Sequence, residues 1–275
     1  MQNGSHSPPI ANGSVARRAW CDLPLMGNGH VCAEQVIPRR ADRKPAPLSF
    51  AQQRLWAMSR LEPESCADNQ AITLRLEGSL NIAALGNAIN AIVERHEVLR
   101  TTFVPAYGGD PVQLVGASQP VNLPIFDLSD CAASVRASYV ERTIAALKNR
   151  PFDLSRDLLL RPTLLRLSPT AYVLLLVTHR IVFDASSSEI VCQELATLYR
   201  AFSKGKPNPL PDLPIQYADY AVWQRQRLQG GALQTHLAYW KQQLGKVAVL
   251  DLPLDHPRIG FQNCPSGRQL LVLPE

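Results

Sequence analysis

One apolar run constrains the fold of this 275-residue chain more than any other feature. Residues Ala171 to Val177 spell AYVLLLV, and the preceding segment, Leu158 to Leu167, is also rich in apolar residues. The residues between them, Ser168-Pro169-Thr170, are typical of a turn, so we predict a strand pair whose second member covers Tyr172 to Val177. Because this second strand has no polar face, it must be covered on both sides.

Capping residues and apolar residues at helical spacing predict the helices that cover this strand pair. The predicted helices are one after the cap Ser49 that carries Phe50, Leu55, Met58 and Leu61, one after the cap Asn81 that carries Ile82, Leu85, Ile89, Ile92 and Val93, one from about Ser134 to Lys148, one opened by the capping box Ser186-x-x-Glu189 and closed by Gly205, and one from Tyr217 to Leu244 with an interruption at Gly230-Gly231.

Further strands are predicted by alternation of apolar and polar residues. Ile72 to Leu76 has the pattern of a half-buried strand, and Leu99 to Val104 forms a predicted hairpin with Val112 to Val115 around Gly108-Gly109-Asp110. Since strands alternate with helices, the sequence indicates a mixed α/β domain.

Charge and cysteine usage argue against several classes of function. The net charge is +5, but no block of five or six like charges marks a nucleic-acid-binding surface. None of the six cysteines forms a CxxC pair, which argues against a zinc site. The longest apolar run is too short to span a bilayer, and the N-terminus has no secretory pattern. We therefore expect a soluble, cytoplasmic chain that binds neither membrane nor nucleic acid.

The segment after the apolar strand contains the candidate catalytic residues. Thr178 to Ser188 is THRIVFDASSS, in which His179 and Asp184 lie where the strand meets a loop. Arg180 directly follows His179, so a residue that cannot accept a proton lies beside a candidate base. Arginine has a pKa above about 12 and no acceptor atom, so it cannot act as a general base.

Three separated blocks resemble the condensation domains of nonribosomal peptide synthetases. They are PLSFAQQRLW from Pro47, RHEVLRTTF from Arg95 and YADYAVWQ from Tyr217, and they occur in family order. PFDLSRDLLLRPTLLRL before the apolar strand, and AYWKQQL followed by LDLPLDHPR, fit the same pattern. The resemblance extends from about Pro38 to the last residue.

This resemblance implies an α/β (α+β) sandwich of the chloramphenicol acetyltransferase type, with a mixed sheet flanked by helices in each of two lobes. Peptidyl carrier protein domains of the adjoining synthetase deliver thioesters on phosphopantetheine arms into a tunnel between the lobes. An acceptor amine attacks the donor thioester, and an amide bond forms. No cofactor or metal binds the lobe directly.

The resemblance also assigns the candidate site residues. The family's central motif is His-His-x-x-x-Asp-Gly, which places its first histidine at His179 and its aspartate at Asp184. The second histidine, generally the base or a stabiliser of the amine, is replaced by Arg180, and the glycine is replaced by Ala185. Arg180 could still stabilise an oxyanion, or could turn onto Asp184 and close the pocket. If the turn needs a positive φ, Ala185 costs on the order of 1 kcal/mol relative to glycine.

Each candidate also has a structural interpretation. In that interpretation His179 is a hydrogen-bonding histidine at a strand end, and Asp184 is a residue that fixes the loop. Residues of the other two blocks are expected to tie a helix end to the core or to pack within it: Arg95, His96, Arg100, Trp56, Tyr217, Asp219, Tyr220 and Trp223.

The family pattern suggests three segments. Residues 1–47 are predicted to be a flexible tail or linker, residues 48–260 the N-terminal lobe, and residues 261–275 the start of a second lobe that the chain does not contain.

The leading hypothesis is a partial condensation domain, impaired by the loss of its base and of the second lobe. The alternatives are a non-catalytic module that docks carrier proteins, or a coenzyme A-dependent acyltransferase, which would need His-x-x-x-Asp where this chain has Arg180-x-x-x-Asp184.

Overall fold

The computed structural model describes residues 36–42, 44–106, 109–248 and 253 of the chain. Six helices and seven strands follow in chain order: β1 (Ala46–Pro47), α1 (Phe50–Leu61), β2 (Asn69–Glu77), α2 (Ile82–Arg95), β3 (Thr101–Val104), β4 (Val112–Val115), β5 (Ile125–Asp127), α3 (Ala133–Lys148), β6 (Leu160–Ser168), β7 (Ala171–His179), α4 (Ala185–Phe202), α5 (Tyr217–Arg227) and α6 (Gly230–Leu244). None of the helices in this part of the chain is long and apolar enough to cross a membrane.

The strands form a main sheet and a small one. The main sheet has the order β2-β7-β6-β5, with β7 antiparallel to both of its neighbours and β5 parallel to β6. The small sheet has the order β1-β4-β3 and is antiparallel throughout. The predicted hairpin of β3 and β4 is therefore present, although Gly108, at the predicted turn, lies outside the described residues.

The apolar strand lies at the centre of the main sheet, and its last eight residues, Tyr172 to His179, are all buried. Helices α2 and α4 pack against each other, and their apolar faces join the strand in one core. A smaller cluster of Leu128, Leu165 and Val173 forms a second group of buried residues. The prediction that this strand is covered on both faces is confirmed.

The pairing of β2 with β7 keeps one register over its whole length, from Glu77 opposite Ala171 to Asn69 opposite His179. The same register continues one position further, because the Arg180 N–H donates to the Asp68 carbonyl at 2.8 Å. This pairing places the residues that follow β7 beside the residues that precede β2.

The start of α4 differs from the sequence expectation. Asp184 is the N-cap, its side chain accepts a hydrogen bond from the Ser187 N–H, and the Ser187 side chain bonds back to the Asp184 N–H. The expected capping box of Ser186 and Glu189 is therefore wrong. The same reciprocal pair of hydrogen bonds forms two residues earlier in the chain, between Asp184 and Ser187.

Three further differences come from short or non-local elements. Residues Glu97–Arg100 form a 3₁₀ turn, so β3 begins at Thr101 and not at Leu99. Strands β1 and β5 have two and three residues, too few for a periodic pattern in the sequence. Part of the expected linker belongs to the fold, since Ala46–Pro47 pairs with β4 and Arg40 contacts α5. Residues 1–35 and 261–275 lie outside the described residues, so the expectations for them remain predictions.

Candidate functional site in the turn after the central strand

His179 ends β7 with its ring buried; the residue is 5% exposed. Its Nδ1 atom accepts a hydrogen bond from the Ile181 N–H at 3.1 Å. The edge of its ring meets the ring of Phe152, with the two centroids 6.2 Å apart. The turn that follows the strand therefore fixes the orientation of the imidazole.

This contact decides what His179 can do with a proton. Because Nδ1 accepts a hydrogen bond, the neutral ring carries its proton on Nε2 and has no free acceptor atom. Burial lowers the pKa of His179 to about 4, and the Asp68 carboxylate opposes this effect while Arg180 adds to it. At neutral pH His179 is a fixed hydrogen-bond donor and not a base.

Arg180 points away from the core, and its side chain is 50% exposed. Its Nη1 atom lies 3.5 Å from Oδ1 of Asp68, a residue between α1 and β2. The alternative in which Arg180 turns onto Asp184 is wrong, since the arginine pairs with Asp68 instead. No motif or pattern in the sequence singles out Asp68.

The Asp184 side chain caps the start of helix α4. Its Oδ1 accepts from the Ser187 N–H at 2.8 Å and from the Ser187 hydroxyl at 2.7 Å. These hydrogen bonds hold the pKa of Asp184 below its usual value. Ala185 is the first residue of α4, so the motif does not need a positive φ there and the expected cost of replacing glycine does not arise.

Two cavities lie next to each other, and the smaller one reaches the end of β7. The smaller, about 70 Å³, is lined by His179, Asp68 and Phe152 among others. The larger, about 530 Å³, shares Phe152 with it and continues along residues 150–157. Arg60, Arg150 and Arg156 also line this larger cleft.

Arg161 holds the loop between the two cavities. Its guanidinium lies 3.6 Å from the centroid of the Phe152 ring and donates to the carbonyl oxygens of Arg150 and Pro151 at 2.7 Å each. A third bond, at 3.0 Å, joins it to Asp157. Since Phe152 contacts His179, Arg161 stabilises the loop that packs against the candidate site, a role that the sequence did not indicate.

The first sequence block connects α1 to the turn and to α5. Ser49 Oγ lies 3.0 Å from the Tyr217 hydroxyl, and the Gln52 side chain donates to the Ile181 carbonyl at 3.4 Å. Burial raises the pKa of Tyr217. The block that begins near Pro47 therefore contacts both the turn that carries the motif and the block that begins at Tyr217.

The second block ties the end of α2 to α4. Arg95 Nε lies 2.9 Å from Glu194 Oε1, and His96 Nε2 lies 2.6 Å from the other oxygen of the same carboxylate. Arg100 donates to the Gly116 carbonyl, which fastens the 3₁₀ turn to the residue after β4. The geometry of Arg95, His96 and Arg100 is that of structural residues.

The third block contains a nearly buried ion pair. Both the backbone N–H and the Nε of Arg40 donate to Asp219 Oδ1 at 3.1 Å, while Oδ2 accepts from the Gln216 N–H at 2.7 Å. Tyr220 and Trp223 lie on the same helix with ring centroids 6.0 Å apart. These residues connect α5 to the segment before β1 and do not reach the motif.

No metal site accompanies the motif. Within the described residues, no group of three or more His, Cys, Asp or Glu side chains is arranged to hold a metal ion. The cysteines described there, Cys66, Cys131 and Cys192, are free.

The whole described fold and the motif turn match one known family. Residues 42–275 match the family model of the condensation domain. The chain belongs to the condensation-domain family. The recognition made from the three sequence blocks is confirmed.

Several relatives are synthetases that are much longer than this chain. Chondramide synthase cmdD of Chondromyces crocatus is 44% identical over 212 residues, which are 77% of this chain and 5% of that protein. Phosphinothricin tripeptide synthetase PhsC of Streptomyces viridochromogenes is 42% identical over 267 residues, 96% of this chain and 24% of that protein. The chain thus spans a small part of the length of the condensation-domain synthetases that it resembles.

Solved structures confirm the chloramphenicol acetyltransferase-like fold. The X-domain in a complex with OxyB from teicoplanin biosynthesis has a TM-score of 0.74 and 28% identity, and covers 84% of this chain and 50% of its own. The starter condensation domain of rhizomide synthetase RzmA has a TM-score of 0.66 and 22% identity, and covers 74% of this chain and 48% of its own. The chain corresponds to about half of each of these structures.

Proposed function

We propose that this chain is the N-terminal lobe of a condensation domain that serves amide-bond formation between aminoacyl or peptidyl thioesters, and that Arg180 impairs this copy. Carrier protein domains are the proposed partners, and they present the substrates on phosphopantetheine arms. In this proposal the lobe itself binds no cofactor. The membership of the family and the synthetase relatives support this assignment.

The single observation that carries the impairment is the hydrogen bonding of the side chains in the turn. Arg180 has no acceptor atom, and Nδ1 of His179 is already bonded to the Ile181 N–H. Asp184 accepts its capping hydrogen bonds and has a lowered pKa. Of the three motif residues, none can take a proton from an attacking amine at neutral pH, and the loss of a general base costs about 10²- to 10⁴-fold in rate.

The test restores the base in an intact two-lobed domain. This lobe is joined to a matching C-terminal lobe and supplied with loaded donor and acceptor carriers, and the carrier-bound amide is measured by mass spectrometry. We expect Arg180→His to form amide at least about 10²-fold faster than the original sequence.

Arg180→Gln is the matched control, because it removes the charge without adding a base. Its rate should stay near that of the original sequence. The proposal is wrong if the original sequence is already as fast as Arg180→His, or if Arg180→Gln gains as much.

A second function is a docking module without chemistry. The X-domain from teicoplanin biosynthesis, solved alone and in a complex with OxyB, resembles this chain at 30% and 28% identity. A lobe of this fold can therefore be part of a domain that binds another protein. Binding of a phosphopantetheinylated carrier with no amide formation by Arg180→His would favour this function, whereas restored catalysis would favour the first.

A further inference from the structure

Asp68 lies directly opposite Arg180 in the extended pairing of β2 and β7. The last pair of that ladder joins Asn69 to His179, and the next pair is fastened by the hydrogen bond of 2.8 Å from the Arg180 N–H to the Asp68 carbonyl. Opposite residues of an antiparallel pair project on the same side of the sheet, with their Cβ atoms about 4.5–5.5 Å apart. The backbone therefore sets the side chains at positions 68 and 180 beside each other.

The two side chains form an ion pair at this position. Arg180 Nη1 lies 3.5 Å from Asp68 Oδ1, and the Asp68 side chain is 27% exposed. Over the residues that the structure describes, Asp68 is the acid within ion-pair distance of Arg180. The other ionisable side chains around the turn are Glu62 at the end of α1, Asp184 at the start of α4 and Tyr217 on α5.

The Asp68 carboxylate also acts on the neighbouring motif position. It lines the cavity of about 70 Å³ together with His179. Its charge opposes the effect of burial on the pKa of His179, while the charge of Arg180 acts in the opposite direction. The carboxylate thus influences both of the residues that occupy the histidine positions of the family motif.

We propose that Asp68 is the positioning residue for the side chain at position 180. In this protein it holds the guanidinium beside the mouth of the His179 cavity, and it would favour the protonated form of a histidine at position 180. The inference rests on the proposed function, because it states what a base restored at position 180 would need. An imidazole takes the proton of an attacking amine only in its neutral form, so neutralising Asp68 should increase further the rate that Arg180→His restores at neutral pH.

The first test measures protonation and does not depend on activity. The chain is labelled with nitrogen-15 histidine, and the imidazole at position 180 is titrated by NMR in Arg180→His and in Arg180→His with Asp68→Asn. We expect the asparagine to lower the titration midpoint by about one pH unit, because it removes an opposite charge close to the imidazole.

The matched control is Arg180→His with Glu62→Gln, which neutralises another carboxylate that lines the same cavity. We expect its midpoint to agree with that of Arg180→His alone. If Asp68→Asn prevents folding, Asp68→Ser removes the same charge from the same position. A midpoint that is unchanged by the loss of the Asp68 charge, or that moves as much with Glu62→Gln, overturns the inference.

The second test follows amide formation against pH in the two-lobed domain. The rate of Arg180→His should rise with pH as the imidazole loses its proton, and the Asp68→Asn change should move this rise down by the same interval as the NMR midpoint. If no variant forms amide at any pH, the proposed function fails, and the NMR titration still decides the role of Asp68.

Discussion

The ion pair of Arg40 and Asp219 offers a direct test of where the folded lobe begins. Its side chains are 12% and 3% exposed, and Arg40 belongs to the segment that the sequence suggested to be a linker. The perturbation is Arg40→Ala, which leaves the Asp219 carboxylate buried without its counter-charge.

The expected cost follows from the contacts that remain. Removal of one partner of a buried ion pair costs about 3–5 kcal/mol. Asp219 keeps two backbone donors, the N–H groups of residues 40 and 216, so we expect a loss below this range, about 2–3 kcal/mol of unfolding free energy. This is a large share of the roughly 5–15 kcal/mol that stabilises a typical protein.

The assay is urea unfolding followed by tryptophan fluorescence. With a typical slope of about 1–3 kcal/mol per molar urea, the midpoint should fall by about 1 M. Arg39→Ala is the control, because its side chain is exposed and its removal should change the unfolding free energy by less than about 0.5 kcal/mol.

A double variant of Arg40→Ala with Asp219→Asn separates the pair from other effects. The costs of the two single changes should not add, because the second change removes the charge that the first leaves unpaired. Equal midpoints for Arg40→Ala and Arg39→Ala would refute the reasoning, since the segment before β1 would then contribute nothing to the fold.

Two further predictions concern the turn after β7. Burial lowers the pKa of His179 to about 4 from its ordinary 6.5, so the unfolded chain binds more protons between these pH values. The unfolding free energy should therefore fall by about 3 kcal/mol as the pH drops through that window. Urea unfolding near pH 7 and near pH 4 should show this loss in the original chain and in the control His236→Asn. The loss should be absent in His179→Asn. Gln52→Ala should lower the unfolding free energy by about 2 kcal/mol, because it leaves the Ile181 carbonyl without its side-chain donor. A thermal melt should show this loss, and no comparable loss for the control Arg54→Ala, whose side chain is exposed.

Elements with a long periodic pattern were predictable from the sequence. Helix α1 begins after Ser49 and α2 after Asn81, as their caps and apolar spacing indicated. The run Ala171 to Val177 lies in an interior strand of the main sheet, as its continuous apolar character between turn residues indicated. In these cases the local pattern and the tertiary packing demand the same conformation.

The contacts of the candidate site were less accessible to sequence reasoning. The motif placed His179, Arg180 and Asp184 together because they are close in the chain. Asp68 is far from them in sequence, and only the register of β2 against β7 brings it to Arg180. The contacts of Arg161 could not be predicted either, because the sequence of a strand does not indicate which loop carbonyl groups its side chains will bind.

The constant register of β7 has a consequence for exchanging parts between synthetases. A shift of one residue reverses the faces of a strand, so one residue more or less between Thr170 and the motif would turn His179 to the other side of the sheet. Strand β6 already contains one extra residue near the turn, between Arg166 and Ser168, where its register against β7 shifts. Recombination points for chimeric domains should therefore lie outside residues 170–184, where length matters more than composition.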